Sequence, residues 1–153
     1  MVDVAGKETS VRIAVAEATV KMKPATLRIV TGGRSGLTSK KGDVLAAARL
    51  AGIQAAKRTP ELIPLCHSIA LTSVAVDVDV VGRSILRIRA TARATDRTGV
   101  EMEALVAAAV AALTVYDMLK AVERGITIER VRLIEKSGGR SGTWRRATSR
   151  RTR

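Results

Sequence analysis

From Val74 to Ala92 the chain alternates almost without a break. Val74, Val76, Val78 and Val80 are interleaved with Ala75, Asp77 and Asp79; past "VGRS", Leu86, Ile88, Ala90 and Ala92 are interleaved with Arg87, Arg89 and Thr91. A period of two sends successive side chains to opposite faces of an extended chain, so this stretch is a β-hairpin with one apolar face that something must cover. The cover follows at once. From Ala104 to Tyr116 no residue is charged, and a helix of that kind has to be buried against a partner. Val, Ile, Leu and Ala supply nearly all the apolar surface: there is no Phe, and Tyr116 and Trp144 are the only aromatic residues. Side chains this small let helices approach a sheet closely.

The remaining elements fall on either side of this unit. Val11, Ile13 and Val15 on alternate positions predict a strand near the N-terminus. "PATLRIV" is compatible with a short helix or an extended segment, and "TGGRSGLTSKKG" reads as a glycine-rich loop. A helix is expected from Asp43 to Arg58, with Asp43 as N-cap and Val44, Ala48 and Ala51 on one side. Pro60 and Pro64 end it, so "ELIPLCHS" is predicted to be a turn leading into extended chain. The long helix is expected from Val100 to Arg124, opened by a Thr98–Glu101 capping box and stopped by Gly125. "ITIERVRLIEK" supplies a last strand. The order βαββαβ predicts an α+β, ferredoxin-like sandwich, an antiparallel sheet with its helices on one face.

With 153 residues, 46% of them hydrophobic, the chain is long enough to bury a core. A single domain is expected over residues 1–144, followed by a basic, disordered tail at 145–153. Six arginines after residue 139 carry much of the formal charge of +13; the remainder, 21 basic against 14 acidic residues, still suits an anionic ligand. One cysteine, no signal-peptide stretch and no uncharged run of about 20 residues point to a cytoplasmic protein without a membrane span. A nucleic-acid module on a ferredoxin-like sheet is the rival suggested by the charge, but such modules stack bases on strand aromatics, and no predicted strand contains one.

Candidate chemistry sits in a few places. The only cysteine and the only histidine, Cys66 and His67, are adjacent in an apolar run. Neighbours in extended chain face opposite ways, which argues against a Cys–His nucleophile pair. One of each also falls short of a zinc site. His67 is then either a hydrogen-bonded core residue or a binding and proton-handling one. Asp117 and Lys120 are the only charges between Glu103 and Glu123. At i, i+3 spacing they form an ion pair or an acid/base pair, and an apolar setting would shift both. Glu101 and Glu103 either compensate the helix dipole or flank a ligand at its mouth. Lys41, Lys57 and Lys136, each at an element boundary, could form a phosphate-binding rim. There is no Walker A or Rossmann fingerprint.

"KGDVLAAARLAGIQAAKRTPELIPLCH", "DRTGVEMEALVAAAVAALTVYDMLKAV", "EKSGGRSG" and the N-terminal "MVDVAGKETSVR" together closely resemble the molybdenum cofactor biosynthesis protein C family, the cyclic pyranopterin monophosphate synthases. The resemblance runs from Met1 to about Trp144. It implies a ferredoxin-like fold and a homohexamer, a trimer of dimers with sites at dimer interfaces. The implied substrate is 3′,8-cyclo-7,8-dihydroguanosine triphosphate, handed over from a radical S-adenosylmethionine enzyme, and no metal or other cofactor is implied. It places Asp117, Lys120, Lys41 and His67 in catalysis. It places Leu65, Cys66, His67, Glu101, Met102, Glu103, Lys136, Lys7 and Arg12 in substrate binding. The chain departs from the family pattern at Ser68, where a proline is common, and in a longer glycine-serine loop before Lys41.

Overall fold

The computed structural model describes residues 1–31 and 42–147. Lys41, the first "GGRSG" loop and the last six residues of the tail lie outside the described residues. The elements are β1 (Ser10–Lys21), α1 (Pro24–Thr31), α2 (Val44–Lys57), α3 (Thr59–Leu62), β2 (Leu71–Val81), β3 (Ile85–Asp96), α4 (Glu101–Leu119), β4 (Thr127–Ser137) and β5 (Trp144–Arg145). The strands form one antiparallel sheet in the order β2-β3-β1-β4-β5. Without β5 this is the βαββαβ order expected of a ferredoxin-like sandwich, with α2 and α4 packed side by side over the sheet.

The core is built from small residues facing each other. β1 turns Ala14, Ala16, Ala18 and Val20 inward, β3 turns Leu86, Ile88, Ala90, Ala92 and Ala94 inward, and α4 answers with Ala104, Ala107, Ala108, Ala111, Ala112 and Val115. The Val11, Ile13 and Val15 set that marks β1 as a strand lies on its other face, where Val11 is exposed. Gly52 brings α2 against α4: a Cβ there would stand 2.8 Å from the Ala107 carbonyl oxygen and 3.1 Å from Val76 Cγ2. The apolar, 19-residue α4 has the length and composition of a membrane span, but its apolar character is accounted for by this packing: ten of its residues are buried.

"PATLRIV", open between helix and extended chain, is helical, with Pro24 at the first position of α1. The turn expected after Arg58 takes the form of the short α3, with Pro60 in its first turn, and irregular chain follows to Leu71. Other expectations need correction. On β2 only Val76 is fully buried and Val80 is exposed, because β2 is an edge strand. α4 stops at Leu119, six residues before Gly125. Its end tightens into i→i−3 bonding, Val122 N–H to the Leu119 carbonyl, while the Glu123 carboxylate accepts hydrogen bonds from Lys23 N–H at 3.0 Å and Thr26 Oγ1 at 2.6 Å. Glu123 is thus recruited to the start of α1. The Thr98–Glu101 capping box does not form: the N-cap is Val100 and no side chain caps the helix.

The sheet face away from the helices carries a cross-strand row Asp77–Arg89–Glu17–Arg132, with Arg132 Nη2 3.0 Å from the buried Glu17. It has no ring for base stacking. The one strand aromatic, Trp144, is in the two-residue β5 that the sequence reading missed, with the Arg146 guanidinium 5.5 Å from its ring centre.

Candidate active site

Four segments converge where α4 begins. The N-terminal segment, the start of β1, the 97–101 approach to α4 and the 136–141 loop enclose a cleft of about 860 Å³. Its cations are Lys7, Arg12, Arg97, Lys136 and Arg140, and its carboxylates are Glu8 and Glu101. Five against two make a cleft that draws in anions.

Among the described residues, Arg12 is held by backbone alone. Its Nε donates to the Asp96 carbonyl and its Nη2 to the Arg97 carbonyl, both at 3.1 Å. The loop after β4 lies on it: a Cβ on Gly138 would collide with the Val11 carbonyl oxygen, and one on Gly139 with the Arg12 guanidinium. Both glycines have positive φ, +97° and +74°, so glycine is required for conformation and for space. Two carbonyl contacts fix the position of Arg12 without neutralising it. Lys136, by contrast, shares its charge with Glu101 at 3.3 Å and bonds Ser141 Oγ at 3.1 Å.

One turn into α4, Glu103 is 2% exposed. Burial pushes its carboxyl up from the usual range, against hydrogen bonds from its own N–H and from the Cys66 thiol. The thiol donates to Glu103 Oε1 at 3.9 Å, and Oε2 has no hydrogen-bond partner among the described residues. Burial, then the charge of Glu103, pushes the Cys66 thiol up as well, which makes it a poor nucleophile. His67 Nε2 lies 2.8 Å from the Val2 carbonyl oxygen. A carbonyl can only accept, so Nε2 carries a proton. Met102 is half-buried and Leu65 is exposed.

Lys7, Arg12, Glu101 and Lys136 thus share one cleft. Met102, Glu103, Cys66 and His67 adjoin it through the first turn of α4 and the N-terminal segment. Asp117 and Lys120 do not join them. Lys120 Nζ is 2.6 Å from Asp117 Oδ1 at the opposite end of α4, each side chain 52% exposed. The apolar setting suggested by the sequence is absent within one chain, and the Lys120 ammonium is pushed up by its hydrogen bond to Asp117 and by that charge. Asp117 lies in the last turn of α4, where a carboxylate opposes the helix dipole and is met by Lys120, the C-cap residue. Lys57, at the exposed end of α2, takes no part in the cleft.

Arg97 and Arg140 were missed by sequence reading. Each sits inside a quoted motif, "DRTG" and "GGRSG", but a loop arginine looks like ordinary surface charge until the fold brings several together.

A ferredoxin-like domain with an anion-attracting cleft, a buried carboxyl and a histidine at its edge has the makings of an enzyme that handles protons on an anionic small molecule. Comparison with known proteins narrows the class. The family model of the MoaC family matches residues 1–139. The cyclic pyranopterin monophosphate synthase of Thermomicrobium roseum is 62% identical over 147 residues, 95% of this chain and 86% of that protein. Those of Geobacter sulfurreducens and Geobacter metallireducens are each 55% identical, over 95% of this chain and 89% of theirs. The chain belongs to the MoaC family.

Proposed function

We propose that this protein is a cyclic pyranopterin monophosphate synthase, a lyase of molybdenum cofactor biosynthesis. It converts 3′,8-cyclo-7,8-dihydroguanosine 5′-triphosphate to cyclic pyranopterin monophosphate and releases pyrophosphate. The observation that carries the reading is the convergence of Lys7, Arg12, Glu101 and Lys136 on one cationic cleft in a chain of this family. Opening the purine five-membered ring and closing the pterin are proton transfers, suited to an acid/base pair such as Asp117 and Lys120. Closing the cyclic phosphate needs cations against the growing charge of pyrophosphate, the role assigned to Lys41 with the cleft. Leu65, Cys66, His67, Met102 and Glu103 line the guanine-derived end, where Glu103 accepts from its amino group and Cys66 contributes packing.

The active unit in this reading is an oligomer, a trimer of dimers with sites between subunits. Along α4, Glu101 and Asp117 are separated by about 24 Å, at about 1.5 Å per residue. They cannot both reach one reacting centre, which requires contacts of about 3 Å. Asp117 and Lys120 therefore act on substrate held in the cleft of a neighbouring copy, where the interface supplies the dry setting that a single chain lacks. Exposed Leu113, one turn before Asp117 on the same helix face, gives that interface an apolar contact. The placement is cytoplasmic, with substrate received from the radical enzyme of the pathway. The test is a product assay with 3′,8-cyclo-7,8-dihydroguanosine triphosphate. Wild type should form cyclic pyranopterin monophosphate and pyrophosphate, and Asp117→Asn little of either; a folded wild-type oligomer that forms no product overturns the reading.

A further inference from the structure

The cleft has more cationic capacity than the residues so far given roles in it, and the surplus is concentrated on one side. Arg97 and Arg140 both line it, and neither guanidinium has a carboxylate partner among the described residues. Arg97 gives its carbonyl to Arg12 and its backbone N–H to Asp96 Oδ1, which leaves its guanidinium without a hydrogen-bond partner among the described residues. Between them lies the backbone of the 137–141 turn. Gly138 and Gly139, consecutive residues at φ +97° and +74°, present the 137–141 turn to the cleft, and Ser137 and Ser141 line it too. Opposite is the start of α4, whose N-cap residue, Val100, makes no side-chain cap hydrogen bond. Successive N–H groups of a turn, a helix N-terminus and two unneutralised guanidiniums suit a multiply charged, oxygen-rich anion. Lys136 is less available, since Glu101 already shares its charge.

We propose that Arg97 and Arg140 grip the two terminal phosphates of the substrate, the group that leaves as pyrophosphate, and that the cleft binds free pyrophosphate by the same contacts. The proposal rests on the synthase reading for the identity of the substrate, but on the cleft alone for the anion. In the phosphate-closing step a substrate hydroxyl oxygen bonds to the α-phosphorus and gives its proton to a base. The bond from that phosphorus to the bridging oxygen breaks, and the electron pair leaves with pyrophosphate. Arg97 and Arg140 bear on the leaving side of that bond. They hold charge that increases as the bond breaks and so favour the step itself as well as binding.

Inorganic pyrophosphate is the direct probe. Isothermal titration calorimetry on the intact oligomer should show binding to wild type, weakened about tenfold or more by Arg97→Ala or Arg140→Ala. Arg97→Lys and Arg140→Lys should recover part of the loss. Arg83→Ala, in the β2–β3 turn, should leave binding within about twofold. Steady-state assays should show pyrophosphate as a product inhibitor whose inhibition constant rises in the two alanine variants. Absence of pyrophosphate binding by wild type, or alanine variants with unchanged affinity, overturns the proposal. The two readings fail separately. Product formation with pyrophosphate affinity insensitive to Arg97 and Arg140 removes this inference and leaves the synthase. A wild type that binds pyrophosphate through both arginines but forms no product does the reverse.

Discussion

Gly139→Ala separates the conformational need for glycine from the positioning of Arg12. At φ +74° an alanine costs about 1–2 kcal/mol in backbone conformation. The added methyl lands on the Arg12 guanidinium, the end of a flexible side chain, so the protein yields there by swinging Arg12 away. Two hydrogen bonds to the Asp96 and Arg97 carbonyls are lost, at about 1 kcal/mol net each. The expected destabilisation is therefore about 3–4 kcal/mol. The functional loss is separate. Removing one charge-assisted contact to the substrate at about 1.5–3 kcal/mol lowers kcat/KM about 10- to 150-fold. Gly142→Ala is the matched control: φ is +62°, and nothing lies within 4 Å of the added Cβ. It should lose the backbone contribution alone, with kcat/KM nearly unchanged. Chemical denaturation and steady-state product formation on the two variants make the comparison. Gly139→Ala with the stability and kcat/KM of Gly142→Ala would refute the claim that the loop holds Arg12 in place.

Further outcomes follow from the buried carboxyl and the helix contact. Glu103 binds its proton more tightly when folded, so its contribution favours folding at low pH and is lost as pH rises from the unfolded value through the raised folded one. Glu103→Gln should flatten that part of the Tm–pH profile, and an unchanged profile would count against the burial argument. The same variant removes the carboxylate that raises the Cys66 thiol, so thiol labelling at mildly alkaline pH should speed up. Gly52→Val forces atoms between α2 and the Ala107 carbonyl and should destabilise the fold by about 1–3 kcal/mol, readable by urea denaturation.

The strands were legible wherever one face is buried, because alternation is a direct image of that burial; β3 is the clearest case, with Leu86, Ile88, Ala90, Ala92 and Ala94 all inward. Which face of β1 turns inward was not legible, since alanines pack under α4 while the larger Val and Ile residues lie on the outer face. Local signals failed where tertiary contacts competed with them. Glu101 serves Lys136 rather than a capping box, and Glu123 serves α1 rather than the end of α4. Of the candidate site, the resemblance supplies the candidate residues, but not that a helix's length divides them. Glu101 and Asp117 belong to one quoted motif and to opposite ends of α4.

That division is the central claim, and mixed oligomers test it most directly. Arg12→Ala chains and Asp117→Asn chains, inactive alone, are coexpressed with different tags, and the mixed assembly is purified and assayed for cyclic pyranopterin monophosphate. If cleft and acid/base pair come from different copies, random pairing in equal proportion makes about a quarter of the sites intact, and activity returns to about that level. If each site is built within one chain, no site in the mixture is intact and activity stays at that of the separate variants.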